Sequence, residues 1–233
     1  MKRWVTIDVN NSPTRVYMAW REASREMPGV VVAQHGPGVD HFIEDRVEAL
    51  GAEGFFAAAP DLYHRQPPDD ADMMAKIGRL RDAEIVADMN ATIEYAKEIP
   101  DIRVAKVGVI GFCMGGRVSH LMAGSNPSLR ACGVFYGGNI MKPWGDGPAP
   151  FALTQNIACP MIGFFGAEDK NPSPDDVKQI DAELTRHGKA HTFHSYDGAG
   201  HAFLNFTNPA MYRESQAKDA WSKLIPFLKK HLT

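Results

Sequence analysis

The residues from Val107 to Gly116 read VGVIGFCMGG: an apolar run, then a cysteine with a glycine two places before it and another two places after. This is the small-x-nucleophile-x-small form of a sharp strand-to-helix turn, with Cys113 where serine is the usual nucleophile. The glycines at 111 and 115 have a steric reason, because only small neighbours let the following helix pack against the strand. Such a turn places the side chain at a helix N-terminus, where the dipole and free N–H groups favour a thiolate. It also aims the Met114 N–H at the oxyanion that develops when a thiolate attacks a carbonyl. A free cysteine is more often a buried apolar side chain. That reading is given to Cys132, inside an apolar run, and to Cys159, which precedes Pro160.

A thiol nucleophile needs a base within hydrogen-bond reach and a third group to orient the base. In sites built on such a turn the partners follow in the order nucleophile, acid, histidine. Downstream of Cys113, the run Met161–Phe165 ends in Gly166-Ala167-Glu168-Asp169, and His191–Tyr196 ends in Asp197-Gly198-Ala199-Gly200-His201. His201 is the expected base. Asp169 is the preferred acid over Glu168, which at the strand end is the better candidate to face solvent. His35-Gly36-Pro37-Gly38 follows an earlier apolar run, and the Gly36 N–H is positioned to be the second oxyanion donor, although a plain turn would use the same residues. His191 and His194 differ by three in a strand and so point to opposite faces. His120, His187 and His231 fall on helical segments, where a packed or solvated role is the default. No cluster has the ligand spacing of a zinc site, and no metal or other cofactor is expected.

These residues need a scaffold that brings strand ends together. Val30–Ala33, Gly54–Ala59, Val107–Ile110, Ala131–Tyr136, Met161–Phe165 and His191–Tyr196 read as strands. Between them lie helical patterns over Phe42–Glu53, around Ile85, Met89, Ile93 and Ala96, from near Gly115, over Pro174–His187, and along Ala217–Leu232. Continuous apolar strands alternating with helices predict a mostly parallel central sheet with helices on both faces. Val5–Val9 and Arg15–Trp20 alternate instead, as antiparallel edge strands at the N-terminal side should. Ligands in such sheets sit beyond the carboxyl ends of the strands, where all the candidates above fall. Residues 61–81, with Pro67-Pro68-Asp69-Asp70 and two methionines, read equally as a cap over the site or as a surface excursion.

The whole chain bounds the function further. At 233 residues, 44% apolar and 23% charged, it is sized for one α/β domain spanning 1–233 with a sizeable core. A net charge of −3 argues against a nucleic-acid partner. No run reaches the roughly 18 apolar residues of a membrane span, and MKRWVTIDVN turns polar before a signal-peptide core can form. A cytoplasmic protein, monomer or homodimer, acting on a small molecule is expected.

With these pieces placed, the sequence resembles the dienelactone hydrolase family of α/β-hydrolases, also called carboxymethylenebutenolidases, over nearly its whole length. The resemblance is carried by Ala59-Pro60-Asp61-Leu62-Tyr63, Gly111–Arg117, Phe135-Tyr136-Gly137, Gly166–Asp169 and Gly198-Ala199-Gly200-His201-Ala202-Phe203. It implies an α/β-hydrolase fold, a Cys113–His201–Asp169 triad, an oxyanion hole of the Gly36 and Met114 N–H groups, and a cofactor-free hydrolase of lactones or small activated esters. The chain departs from the family at two places. His35 stands where the family carries a Glu against the resting thiol, and Asn205 where it carries an Arg that grips the substrate carboxylate. A second substrate-binding Arg precedes the turn in the family, with Arg79 or Arg81 as counterparts here. His35, Arg79, Arg81, Tyr136 and Asn205 are thus the candidate substrate contacts. Two rival readings are hydrolysis of other activated esters, phosphotriesters included, and a non-catalytic redox-sensing thiol at Cys113.

Overall fold

The structure, a computed structural model, describes residues 1–22, 26–67, 72–100 and 102–233. The chain begins with a hairpin, β1 (Lys2–Val9) and β2 (Ser12–Ala19), closed by Asn10 and Asn11, both at positive φ. Asparagine tolerates that conformation better than most residues. Next come β3 (Glu26–Ala33), α1 (His41–Ala52) and β4 (Phe56–Pro60), then α2 (Met73–Arg79) and α3 (Asp82–Glu98). The second half runs β5 (Arg103–Phe112), α4 (Met114–Ser125), β6 (Ala131–Phe135), a 3₁₀ turn at Pro150–Asn156, β7 (Met161–Gly166), α5 (Pro174–Arg186), β8 (His191–Tyr196) and α6 (Glu214–Leu232).

All eight strands form one sheet in the order β1-β2-β4-β3-β5-β6-β7-β8. From β4 to β8 every pairing is parallel, while β1·β2 and β2·β4 are antiparallel. Side chains alternate across the sheet, so Val31, Ala33 and Val109 meet α3 and α4 on one face. On the other face Val30, Val32, Ile110 and Phe112 meet α1 and α6. As expected, the two N-terminal strands form the antiparallel side of the sheet, with β1 outermost. β2 is interior, pairing Val16–Ala19 with β4, and its alternation of Tyr17 with Met18 reflects two buried faces rather than one. The tyrosine fits there because its hydroxyl reaches out to Glu48. Pro28, which cannot donate to the ladder, coincides with the register shift between β3 and β5 at Met27/Gly29.

The strand ends that matter lie side by side: β3 leads to His35 and Gly36, its neighbour β5 to Cys113, and β7 and β8 to Asp169 and His201. Of the stretch 61–81, α2 lies across this end of the sheet, while Pro68, Asp69 and Asp70 fall outside the described residues. Among the described residues no helix is long and apolar enough to cross a membrane.

Candidate active site

Cys113 is the N-cap residue of α4, with φ 55° and ψ −118°, a conformation that side chains rarely adopt. The packing leaves no alternative. A Cβ on Gly111 would sit 2.0 Å from the Gly115 carbonyl oxygen, and one on Gly115 would sit 2.1 Å from that of Ala33. The helix therefore starts in contact with the strands it follows, and Cys113 is turned outward at their carboxyl ends. Gly116 meets the Phe135 carbonyl and Gly137 in the same way, which locks α4 against the end of β6.

The Met114 and Gly36 N–H groups and the His201 ring lie beside the Cys113 sulfur, and each favours its thiolate form. His201 Nδ1–H donates to Asp169 Oδ2 at 2.8 Å, which leaves Nε2 for the thiol. The second Asp169 oxygen accepts the Asn171 N–H at 2.9 Å, so the carboxylate is fixed from both sides. Burial alone would raise the Cys113 thiol, but the His201 hydrogen bond and charge, with the two backbone N–H groups, hold it below its ordinary value of 9.0. For His201, burial favours the neutral ring, yet the bonds to Asp169 and Cys113 outweigh it and push the imidazole up to about 10. Both shifts favour a thiolate–imidazolium pair over the neutral thiol and imidazole. Glu168, the other acid at this strand end, is exposed.

The two residues expected to supply the oxyanion donors have their own supports. Tyr63 is buried, donates its hydroxyl to the Gly36 carbonyl at 2.7 Å, and lies 3.5 Å from Met114 Sδ, touching both donor residues. Behind the turn, Arg117 is fully buried and forks onto Asp82 at 2.6 and 3.0 Å. Its guanidinium also reaches the Asn139 and Lys142 carbonyls and stacks on Trp144, 3.8 Å from the ring centroid. Asp82 returns to the same loop by accepting the Trp144 N–H at 2.9 Å. The wall formed by Gly138, Asn139 and Trp144 is thus anchored to the helix that presents the cysteine.

The five reacting-site candidates, Cys113, His201, Asp169, Gly36 and Met114, meet in one cavity of about 520 Å³. The candidate substrate contacts fare differently. Asn205 lines the cavity, but its Oδ1 is occupied by the Thr207 N–H and hydroxyl. His35 also borders the cavity, with Nε2 2.8 Å from Asp40 Oδ1, and Asp40 caps α1 through the Phe42 and Ile43 N–H groups. The His35 ring therefore braces that helix start, where the family's Glu would face the thiol. Tyr136 does not line the cavity; it is buried with its ring edge-on to His201 at 5.3 Å between centroids. Arg79 and Arg81 lie outside too. Arg81 donates to the Gly78 and Leu80 carbonyls and packs on Gly145, and Arg79, in the last turn of α2, reaches Gln66. The α2 face that does meet the cavity carries Met73, Met74 and Ile77. The sequence showed these methionines without showing what they cover, and it held no signal for Trp144 or Met211, which enter from loops far along the chain. Among the described residues no group of three or more His, Cys, Asp or Glu could hold a metal ion.

Comparison with known proteins points to one family. The pattern of the dienelactone hydrolase family matches residues 14–232. A Synechocystis sp. protein that carries the provisional name carboxymethylenebutenolidase is 36% identical over 231 residues, covering 94% of this chain and 93% of the relative. Among solved structures, a provisionally named dienelactone hydrolase from Klebsiella pneumoniae superposes with a TM-score of 0.91 at 26% identity, covering 99% of this chain and 98% of that one. The dienelactone hydrolase-like promiscuous phosphotriesterase P91, from metagenomic libraries, shares the fold with a TM-score of 0.86 at 22% identity, covering 100% and 99% of the two chains.

Proposed function

Since the chain belongs to the dienelactone hydrolase family, we propose that it is a lactone and ester hydrolase that works through a Cys113–His201–Asp169 triad and a thioester intermediate. The observation that carries this reading is the His201–Asp169 pair, Nδ1 to Oδ2 at 2.8 Å, meeting Cys113, Gly36 and Met114 in one cavity.

The Cys113 thiolate attacks the carbonyl carbon, and the electron pair of the C=O bond moves onto oxygen. That oxyanion is held by the Gly36 and Met114 N–H groups, which are fixed before the substrate arrives and need no reorganisation. Collapse of the tetrahedral intermediate breaks the C–O bond to the leaving alkoxide or enolate, which takes the proton from the His201 imidazolium. The imidazole, now neutral, draws a proton from water as that water attacks the thioester, and expulsion of the thiolate restores the pair. Asp169 holds the ring in the tautomer and orientation that both steps require. A thiolate leaves more readily than an amine, so amides are poor substrates and activated esters or enol lactones good ones.

Initial rates on p-nitrophenyl acetate, a dienelactone and paraoxon, with wild type and Cys113→Ala, test the reading. Cys113-dependent turnover of the ester or the lactone, with an acyl group trapped on Cys113 by rapid quench and mass spectrometry, is expected. Turnover of paraoxon alone would move the chemistry to phosphotriesters. Reversible peroxide oxidation of Cys113 with no turnover of any substrate would make it a sensor thiol.

A further inference from the structure

The cavity around Cys113 has polar residues on its floor and rim, but two of its walls are apolar, and its described lining holds no buried Lys or Arg. Met73, Ile77 and Met114 form one side and Trp144 the other. Met73 covers the oxyanion loop so closely that a Cβ on Gly36 would lie 2.8 Å from its sulfur. At the mouth, the apolar surface continues outward. Met73, Met74 and Met211 are 41, 66 and 42% exposed, and they are three of the four exposed large hydrophobics among the described residues. Apolar side chains left in water together, continuous with a reactive cavity, mark a surface that an apolar ligand covers.

Charge recognition at the same cavity is weak. Asn205 is uncharged and its carbonyl oxygen is already bonded to Thr207. Arg79 and Arg81 lie outside the cavity. The one Lys or Arg among its described lining residues is Lys170, an exposed side chain at the rim. A rim cation in water contributes little to binding an anion, and the half-buried cation, His201, is already paired with Asp169, so a carboxylate moved into this cavity would lose its hydration for little return.

From this geometry, and resting on the hydrolase reading above, we propose that the preferred substrates are uncharged esters or lactones whose acyl side carries an alkyl or aryl substituent running over Met73 toward Met74 and Met211. Specificity is then set by the methionine shelf of α2 and residue 211, and substrates with a free carboxylate on the acyl part are selected against. Methionine suits such a shelf, because its unbranched, polarizable side chain adapts to substituents of different shape.

The test holds the leaving group constant. kcat/KM is measured on p-nitrophenyl acetate, butyrate, pentanoate and hexanoate, and on mono-p-nitrophenyl glutarate, the carboxylated match of the pentanoate. Each methylene taken from water into an apolar site is worth up to about fourfold, so a rise of about tenfold or more from acetate to hexanoate is expected at this half-open mouth. The glutarate hemiester should fall at least about tenfold below the pentanoate. Met74→Ser and Met211→Ser, both at exposed positions, should each lower the hexanoate-to-acetate ratio about threefold. A flat or falling chain-length profile, a ratio unmoved in both variants, or a preference for the hemiester, which would make Lys170 the selecting residue, overturns the proposal alone. Absence of Cys113-dependent turnover on every ester, judged against Cys113→Ala, overturns the hydrolase reading itself and this one with it.

Discussion

His201 Nδ1 lies 2.8 Å from Asp169 Oδ2, and Asp169 is held to that task by the Asn171 N–H on its other oxygen. This pairing decides where the proton of the site resides. Burial works against a charged ring, yet the carboxylate and the neighbouring sulfur overcome it and raise His201 to about 10, while Cys113 is drawn below 9.0. Both directions favour a thiolate beside an imidazolium over a neutral thiol beside a neutral ring.

The pH dependence follows from those two directions. kcat/KM should rise on the acid side below the ordinary thiol range, as the thiolate forms, and fall through about pH 10 as His201 loses the proton that the leaving group needs. The same shifts bear on stability. His201 sits above its unfolded value, so its contribution is complete below 6.5 and lost as pH rises through about 10. Cys113 sits below its unfolded value, so its contribution is present above 9.0 and lost as pH falls through its lowered value. Asp169→Asn removes the main cause raising His201 and should draw the alkaline limb down, with kcat reduced by up to about 10⁴-fold. pH profiles of kcat/KM and of iodoacetamide alkylation at Cys113 check both points. An alkaline limb that does not move in Asp169→Asn would remove Asp169 from its role.

Cys113 holds a backbone conformation, φ 55° and ψ −118°, that costs a residue with a Cβ roughly 1–3 kcal/mol. Two variants that both lack the sulfur separate this strain from the loss of chemistry. Cys113→Gly should be more stable than Cys113→Ala by about 1 kcal/mol, read from urea midpoints, with both equally inactive. Equal midpoints would mean that the turn stores no strain at this residue.

The Arg117–Asp82 pair buries two charges with almost no water, and the guanidinium satisfies Asp82 and two loop carbonyls at once. A lysine keeps the charge but not the fork. Arg117→Lys should therefore lower stability by about 3 kcal/mol, near the range for breaking a buried pair, measured as a shift in the urea midpoint. A change below about 1 kcal/mol would show the loop 139–144 to be held by its other contacts.

How much of this was legible in the sequence differs from residue to residue. The cysteine turn could be read because its glycines are local necessities: the 2.0 and 2.1 Å approaches at Gly111 and Gly115 forbid any side chain. Asp169 and His201 could be singled out because each lies in a turn-rich loop after a strand pattern, Met161–Phe165 and His191–Tyr196. The family membership expected from these motifs is shown by the comparisons. The antiparallel N-terminal strands were legible from their alternation, but alternation does not distinguish one buried face from two faces buried by different partners, so the burial of β2 on both sides was not. Arg79 and Arg81 were placed in the site from their position in the chain, but α2 turns Met73 and Ile77 inward, and a helix of seven residues has room for only one such face. The buried Arg117–Asp82 pair spans 35 positions, and nothing local in either residue announces the other.

Tyr63 carries the last prediction. Its hydroxyl donates to the Gly36 carbonyl at 2.7 Å and touches Met114, yet the residue is buried beneath the cavity lining and does not border the cavity itself. It is a positioning residue that fixes the loop from which the Gly36 N–H is offered. Tyr63→Phe keeps the ring and removes only the hydroxyl, so the fold is preserved while the Gly36 peptide gains freedom. Deleting an oxyanion donor outright costs about 10²–10³ in kcat, so loosening one should cost less, about tenfold, with KM changed by less than about twofold. The split between the two constants is the decisive readout. An interaction made only as the oxyanion develops lowers kcat, whereas one shared by ground and transition states raises KM alone. A raised KM with unchanged kcat would place Tyr63 in substrate binding and leave the Gly36 donor held by the β3 turn without it.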